Sequence, residues 1–546
     1  MKLVTVAEMR AIETQADTGG LSYAQMMENA GSGLAGVVLE MLSSGSPEDE
    51  ALGLVGPGNN GGDTLVALER LAQHGWRTRA YLVGRKPDAL TRRLEAAGGE
   101  LFEAGGDQQF SSLAAFMESS EVVFDGLLGT GIKLPLKENM AAVLAAVHEC
   151  LGALEQVPLM IAVDCPSGVD CDSGEAAAEC LHADVTVTMA AVKQGMLQLP
   201  AFEYVGELRV VDIGLPDDLP AWKDLRSEVA GAQEISRILP DRPADAHKGT
   251  FGTALITAGS VNYTGAALLA GKAAYRAGAG LVTLAVPGSL HAALAGSFPE
   301  ATWLPLPHEQ GVIAREAAER LVRNLERVSA LLVGPGFGLE DTTREFLEDL
   351  LAVHAPRGSG GGRIGFLQEA EKHEGRAPAL PPMVVDADGL KHLAAIKDWP
   401  SLLPAETVLT PHPGEMSVLT GASVEEIQAD RRAVAQGYAS KWGHVVVLKG
   451  AFTLIAAPDG RLMTIPVASP ALARAGTGDV LAGLIVGLRA QGLAAYDAAV
   501  AGAWIHAQAG LLAAEDLGST ASVLAGDVLE AVSDVMAGLD KPVSGA

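Results

Sequence analysis

Three stretches in the first half of the chain place oxygen donors and glycines directly behind apolar runs. Leu54-Val55 opens into Gly56-Pro57-Gly58-Asn59-Asn60-Gly61-Gly62-Asp63, and Val122-Val123-Phe124-Asp125 opens into Gly126-Leu127-Leu128-Gly129-Thr130-Gly131. Ile161-Ala162-Val163-Asp164 opens into Cys165-Pro166-Ser167-Gly168. Glycines ahead of a helix bare main-chain N–H groups, and the positive helix end beside them favours a phosphate. The first turn is read as outside the standard dinucleotide and P-loop fingerprints. Asn60, Asp125 and Ser167 are oxygen-ligand types that suit an alkali or alkaline-earth cation. Asp164 could orient ligand hydroxyls or move a proton. Helix caps and turns draw on the same residue types. They explain any one stretch, but three strand ends of one pattern poorly.

The second half repeats the device. Ala475-Gly476-Thr477-Gly478-Asp479-Val480-Leu481-Ala482-Gly483 puts glycines at the head of an apolar helix with an acid just inside it. Such N–H groups can hold the charge that develops on a transferred phosphoryl group, and Asp479 could take a proton from a substrate hydroxyl. The helix dipole alone also favours an acid there, by about 0.3–1 kcal/mol. Thr410-Pro411-His412-Pro413-Gly414-Glu415 and Val447-Leu448-Lys449-Gly450-Ala451-Phe452-Thr453 each follow an apolar strand. Two prolines constrain the backbone at His412, which suits a positioned donor. Lys449 beside a glycine supplies the positive charge that nucleotide phosphates require.

Elements able to position these residues alternate along the chain. Ala51–Gly56, Arg79–Val83, Glu121–Asp125, Leu159–Asp164, Asp184–Met189 and Glu207–Asp212 read as short strands, with helices such as Thr64–His74 and Ala141–Leu154 between them. That alternation predicts an α/β domain with a mostly parallel sheet covered on both faces. Pro-rich, acidic Leu215–Trp222 reads as a linker, which places a domain boundary near residue 220 and gives domains 1–220 and 221–546. A second block restarts at Gly252–Ala258 and continues through Gly280–Val286, Ala330–Val333, Met383–Asp386, Val408–Thr410, His444–Lys449 and Thr453–Ala457, with helices from Gly478 onward. Gly/Pro-rich, charged Pro356–Pro382 reads as an inserted surface loop. In open α/β sheets ligands sit at the carboxyl ends of strands, where these motifs fall.

Composition narrows the function classes. With 39 Lys and Arg against 67 Asp and Glu, the formal charge is −28 over 546 residues, which opposes an extended nucleic-acid or anionic-membrane surface. A chain 48% hydrophobic and 19% charged has material for sizeable cores. The opening MKLVTVAEMRAIETQAD carries acids where a signal peptide needs an apolar core. No apolar run is long enough to span a bilayer, so a soluble, cytoplasmic protein is expected, with small-molecule partners and a homo-oligomeric state. Cys165, Cys171 and Cys180 with His182 could be drawn as a zinc set. Their spacing matches no CxxC framework, and buried reduced thiols are the favoured reading.

Taken together, MMENAG (26–31), GPGNNGGD (56–63), FDGLLGTG (124–131), DCPSGVD (164–170) and Lys193-Gln194-Gly195 resemble the NAD(P)H-hydrate epimerase domain over about residues 1–213. The resemblance implies a Rossmann-like three-layer αβα fold that interconverts R and S hydrates of NADH and NADPH. By matching position, Asn59, Asn60, Gly61, Gly62 and Asp63, then Gly129, Thr130, Gly131, Ile132, Lys133, Leu134 and Pro135, together with Asp164, would bind the hydrate. Asp164 and Lys193 would be catalytic, and Asn60, Asp125 and Ser167 would hold a potassium ion. Thr64 stands where the family usually has Gly, a costly exchange if that position needs positive φ.

HKGTFGTALITAGS (247–260), YTGAALLAGKAAYRAGAGLVT (263–283), GPGFG (334–338), TPHPGE (410–415), LKGAFT (448–453) and AGTGDVLAG (475–483) resemble the ADP/ATP-dependent NAD(P)H-hydrate dehydratases. That resemblance implies a ribokinase-like α/β domain that dehydrates the S hydrate at the expense of ADP (to AMP) or ATP, with Mg2+. Asp479 would be the base; Gly336, His412 and Asp479 would contact the hydrate. Lys449, Gly450, Ala451, Phe452, Thr453 and Gly478 would contact the nucleotide. Val467–Leu472 departs from the family's usual Gly-Asn-Pro-Gly turn. GTGD alone would also serve a ribokinase-superfamily small-molecule kinase fused to a nucleotide-sensing domain, but such a kinase needs neither the Asn60/Asp125/Ser167 set nor TPHPGE.

Overall fold

Short, mostly apolar and largely buried strands alternating with helices build two mostly parallel sheets in the computed structural model, which describes residues 1–42, 49–353 and 379–539. The chain divides into two compact units, Met1–Val229 and Ala230–Ala546. The expected surface loop Pro356–Pro382 lies, apart from residues 379–382, outside the described residues.

The first unit holds strands β1 (Glu50–Val55), β2 (Arg77–Leu82), β3 (Glu100–Glu103), β4 (Val122–Gly126), β5 (Leu159–Val163), β6 (Val185–Met189) and β7 (Glu207–Val211). They form one seven-stranded sheet in the order β3-β2-β1-β4-β5-β6-β7, every pair parallel. The order reverses at β1/β4, the crevice where doubly wound sheets bind ligands. Alternate side chains feed two apolar clusters. Ala51 and Val55 join helices α1 (Val6–Thr18), α2 (Tyr23–Met41) and α3 (Asn59–Gln73) on one face. Leu52 and Leu54 join Leu113, Met117, Leu144 and Val147 on the other, which gives the three-layer αβα arrangement.

Two sequence expectations change here. Leu215–Trp222 is not a free linker: Pro220–Lys223 is a short helix, Leu219 is buried, and Leu215, Ala221 and Trp222 pack on the first unit's core. Burying those apolar side chains outweighs the turn-forming prolines and acids around them. Gly56, Gly58 and Gly61 do stand at GxGxxG spacing between β1 and α3, so the turn belongs to that pattern after all. It lacks the pattern's ribose-binding acid, because β2 runs out into Val83-Gly84-Arg85. Arg85 instead braces the turn, donating to the carbonyls of Gly56 (3.1 Å) and Gly58 (3.2 Å).

The second unit's strands are β8 (Thr253–Thr257), β9 (Leu281–Pro287), β10 (Thr302–Leu306), β11 (Ala330–Val333), β12 (Met383–Val385), β13 (Val408–Leu409), β14 (Val445–Leu448), β15 (Leu454–Ala456) and β16 (Leu462–Thr464). Their order is β10-β9-β8-β11-β12-β13-β14-β15-β16, parallel from β10 to β14 and antiparallel for the last two pairs. Helices α4 (Gly265–Arg276), α5 (Pro413–Thr420), α6 (Arg431–Trp442), α7 (Thr477–Ala490) and α8 (Ala495–Leu517) belong to this unit. α7 meets α4 almost backbone to backbone: a Cβ on Gly483 would come within 2.3 Å of the Ala270 carbonyl oxygen, and one on Gly487 within 2.6 Å of that of Ala274.

Two candidate active sites

The first site opens at the carboxyl ends of β1, β4 and β5. A cavity of about 630 Å³ is lined by Asn59, Asn60, Asp63, Gly129, Thr130, Gly131, Ile132 and Asp164, with Arg10, Glu13, Tyr23, Met26 and Met27 from α1 and α2. Asp164 sits one residue past β5 with φ of 67°, a left-handed conformation that Asp tolerates better than most side chains. Its Oδ1 accepts from the Met189 N–H (2.9 Å), from the Thr188 hydroxyl (3.1 Å) and from the Lys193 ammonium. Lys193 is buried and also donates to Thr188 Oγ1 (3.0 Å) and the Met189 carbonyl (3.1 Å). With its anchors all on Oδ1, Oδ2 is the oxygen left to meet a ligand.

Carboxylates crowd this cavity. Burial, then the neighbouring Asp164 and Glu13, push the Asp63 carboxyl well above its usual range; burial and Asp164 raise Glu13 as well. Asp125 Oδ2 accepts from the Ser167 N–H (2.8 Å), while its buried Oδ1 has no hydrogen-bond partner. Burial raises this carboxyl too. The Asn60 amide donates to the Leu128 carbonyl (3.1 Å) and to that of Val163. Ser167 Oγ accepts from the Leu128 N–H (2.9 Å). A buried carboxylate oxygen without a donor, among main-chain carbonyls and a hydroxyl, is a donor set for a weakly hydrated cation.

Thr64 does not damage the cradle. It lies inside α3 with an ordinary helical backbone, and its hydroxyl donates to the Asn60 carbonyl (2.7 Å). Its side chain occupies the space over Gly126 and Gly53, where a Cβ would lie 2.0 Å from Thr64 Oγ1 and 2.7 Å from its Cγ2. The expected cost of a β-branched residue at positive φ therefore does not arise. Gly61, Gly62, Lys133, Leu134 and Pro135 do not line the cavity, and neither do Lys193, Asp125 and Ser167. The zinc alternative fails: Cys165, Cys171 and Cys180 are buried free thiols, and no group of three or more His, Cys, Asp or Glu among the described residues is arranged for a metal ion.

The second site gathers at the carboxyl ends of β12, β13 and β14 and the start of α7. A cavity of about 410 Å³ is lined by His412, Lys449, Gly450, Ala451, Thr453 and Gly478, with Val467, Ser469, Leu472, Leu481, Ala503 and His506 behind them. Lys449 pairs with Asp386 (2.8 Å) and Glu415 (3.5 Å). Burial works against its charge, yet those two acids hold the ammonium above its usual range. Asp386 also accepts from Thr410 Oγ1 (2.6 Å).

His412 caps α5. Its Nδ1 accepts from the N–H groups of Gly414 (3.0 Å) and Glu415 (3.3 Å), while Glu415 Oε2 accepts from the His412 N–H (2.9 Å). An Nδ1 used as acceptor leaves the proton of a neutral ring on Nε2, the positioned donor expected of this residue. The turn between Lys449 and Thr453 is held by Arg431 at the start of α6. Its guanidinium donates to the carbonyls of Leu448 (3.0 Å), Lys449 (3.1 Å) and Ala451.

Asp479 stands in the first turn of α7, off the cavity lining, facing Asp386, Lys449 and Asp388. Burial first, then the charge of Asp386, pushes its carboxyl up to about 7. Gly336 lies under Tyr263, also off that lining, and Phe452 is turned into the core. From Val467–Leu472, where the family's usual turn is absent, Val467, Ser469 and Leu472 line the cavity, and Ser469 caps the Pro470–Leu472 turn.

Residues 254–533 match the family described as NAD(P)H-hydrate dehydratase, and residues 23–195 match the one described as YjeF-related protein N-terminus. A bifunctional NAD(P)H-hydrate repair enzyme from Moorella thermoacetica is 35% identical, over 100% of this chain and 98% of its own. The chain belongs to the bifunctional NAD(P)H-hydrate repair enzyme family. A second such enzyme, from Thermofilum pendens, is 36% identical over 95% of this chain and 93% of its own. Among solved structures, the ADP/ATP-dependent NAD(P)H-hydrate dehydratase from Bacillus subtilis, co-crystallised with ATP and Mg2+, is 29% identical. It covers 57% of this chain and 99% of its own, with a TM-score of 0.47. No helix among the described residues of this repair enzyme is long and apolar enough to cross a membrane.

Residues that sequence reasoning left out of the site are Glu13 and Arg10 in the first unit and Asp386, Glu415, Arg431 and His506 in the second. Asp386 carried the signal that marked Asp125 and Asp164, an apolar strand ending in aspartate. Arg431 and His506 carried none, because helices distant in sequence bring them to the site.

Proposed function

We propose that the two cavities divide the family's chemistry, the first interconverting R and S hydrates of NADH and NADPH and the second dehydrating the S hydrate with a nucleotide. What supports this most is the state of the two aspartates: each sits at an element end beside a cavity, next to a lysine. Asp164, steadied through Oδ1, offers Oδ2 to the hydroxyl on the carbon beside the ring nitrogen. It takes the hydroxyl proton as the bond between that carbon and the ring nitrogen breaks to leave an aldehyde, and passes the proton to the nitrogen; after rotation the nitrogen re-adds to the other carbonyl face and Asp164 carries the proton back to the oxygen. Lys193 is buried behind it and fixes its orientation. Asn60, Asp125 and Ser167 would hold potassium, which the orphaned Asp125 oxygen fits. When bound, the ion supplies positive charge beside the Gly129–Gly131 turn.

In the second unit, hydroxide is a poor leaving group, so phosphorylation comes first. Asp479 removes the hydroxyl proton as that oxygen attacks the terminal phosphorus of ADP, and AMP departs. The ring nitrogen's electrons then expel phosphate from that carbon to leave an iminium, and loss of a proton from the adjacent ring carbon, taken up by the departing phosphate, restores the double bond. Lys449, Gly450 and Gly478 would hold the phosphates, with Mg2+ arriving as part of the co-substrate. His412 Nε2–H would donate to the hydrate. A carboxyl pushed up to about 7 is matched to such a base at neutral pH. The test is purified protein with mixed R and S hydrates and ADP, ATP or no nucleotide, following reduced-nicotinamide absorbance. Complete conversion that requires nucleotide is expected; conversion without nucleotide overturns the reading.

A further inference from the structure

Arg10 is the one basic side chain among the described residues lining the first cavity, and neither the epimerisation step nor the cation site uses it. It stands exposed on α1, and its guanidinium makes no hydrogen bond or ion pair among the described residues. A Cβ added to Gly131 would lie 3.6 Å from Arg10 Nη2 with nothing else within 4 Å, so the guanidinium rests against the Gly129–Gly131 turn. Glu13, Asp63 and Asp164 share the lining. A ligand that carries negative charge into that crowd of acids needs a cation to offset them.

Which part of a hydrated dinucleotide meets Arg10 follows from the order of the strands. The reacting ring belongs at Asp164, one residue past β5. β4 and β1 are the next two strands, and at the usual spacing their ends lie about 5 and 10 Å away. There the cavity offers the Gly129–Gly131 turn and the first turn of α3. The N-cap of α3, Gly58, supplies no side-chain cap and has open space where a Cβ would stand. Uncapped N–H groups at a helix start take phosphate. One ribose separates ring from diphosphate, so a ring at β5 sets the diphosphate between those two turns. Helix α1 follows the same order. Glu13 feels the charge of Asp164, while Arg10, three residues earlier on the same helix face, meets the turn after β4.

We propose that Arg10 binds the diphosphate of the hydrate, completing the cradle formed by the start of α3 and the Gly129–Gly131 turn. The inference rests on the reading of this cavity as the epimerase site. It adds the side chain that pairs with the ligand's charge and the direction in which the dinucleotide lies, ring toward β5 and adenosine beyond the diphosphate. The 2′-phosphate that separates NADPH from NADH lies a further ribose away, so Arg10 serves both hydrates alike.

The test follows interconversion of R and S hydrates by the full chain with no nucleotide present, which leaves the second unit idle. The epimers are separated over time and the spontaneous rate is subtracted. Arg10→Gln should raise KM for the hydrates of NADH and NADPH alike, by about tenfold to a hundredfold, the loss of a charge-assisted contact to phosphate. kcat and the pH profile should stay nearly unchanged, because the contact is made equally before and during the reaction. Arg10→Lys, which keeps the charge without the fork, should recover part of the loss. ADP-ribose, which carries the diphosphate without the ring, should compete with the hydrate in wild type and about tenfold more weakly in Arg10→Gln. An unchanged KM in Arg10→Gln overturns the proposal, and so does a loss confined to the NADPH hydrate, which puts Arg10 on the 2′-phosphate. A lower kcat or a displaced pH profile at unchanged KM also overturns it, making Arg10 a counter-charge to Glu13 and Asp164. Competition by ADP-ribose in wild type needs no variant to fold, and its absence refutes the placement. Wild type that interconverts the epimers no faster than they do spontaneously overturns the epimerase reading and this proposal with it.

Discussion

Asp164 and Asp479 are both acids beside a lysine, and their surroundings divide their roles. Asp164 is fixed by three donors on one oxygen. Asp479 has no such anchors; burial and Asp386 raise it to about 7. Asp479→Asn should cut S-hydrate dehydration by roughly a hundred- to ten-thousand-fold, with folding intact by circular dichroism. Normal turnover would remove Asp479 from the mechanism. A base must be ionised to act, so the wild-type rate should climb as pH rises through about 7. Asp386→Asn removes the negative neighbour that opposes ionisation, so the climbing limb should move to lower pH, read from a kcat/KM profile with S-hydrate. Asp164→Ala should leave S-hydrate turnover alone and stall R-hydrate at its spontaneous epimerisation rate, followed by separating the epimers over time.

At the scale of elements, strand ends made most of both sites readable in advance. Asp125, Asp164, Lys449 and the glycine turns follow apolar runs, and the sheet topology then gathers them without any long-range information. What stayed hidden depends on packing between distant segments. Arg431 belongs to a helix that gives no local sign of reaching the Lys449–Thr453 turn, yet its guanidinium takes three carbonyls there. Leu215–Trp222 misled because Pro and Asp signal a loop while its Leu, Ala and Trp carbons were finding a core. Thr64 misled because α3 needs no positive φ there and Gly126 leaves it room. Arg431→Ala should loosen the turn, raising KM for ADP about tenfold with the KM for S-hydrate unchanged. Arg431→Lys should recover little, since a point ammonium cannot span three carbonyls.

For the whole molecule, pairing an epimerising unit with one that consumes a single epimer lets a racemising substrate pool drain completely. The two halves should respond separately to the medium. Replacing potassium by a large organic cation should slow epimerisation about tenfold or more while dehydration of pre-formed S-hydrate is measured under the same conditions as a control. An equal slowing of both, or of neither, would remove the Asn60/Asp125/Ser167 ion from the first unit's chemistry. Against a net charge of −28, Lys193, Lys449 and main-chain N–H groups supply positive charge near the two pockets.

The contact between α7 and α4 reaches beyond packing. Because Gly483 and Gly487 bring two backbones together, even one added methyl must push α7 outward, and Asp479 rides on its first turn. A scan of all single substitutions scored for hydrate turnover should therefore find a second zone of intolerance, about one and two helical turns along from Asp479. There alanine would be nearly as damaging as the loss of the base itself.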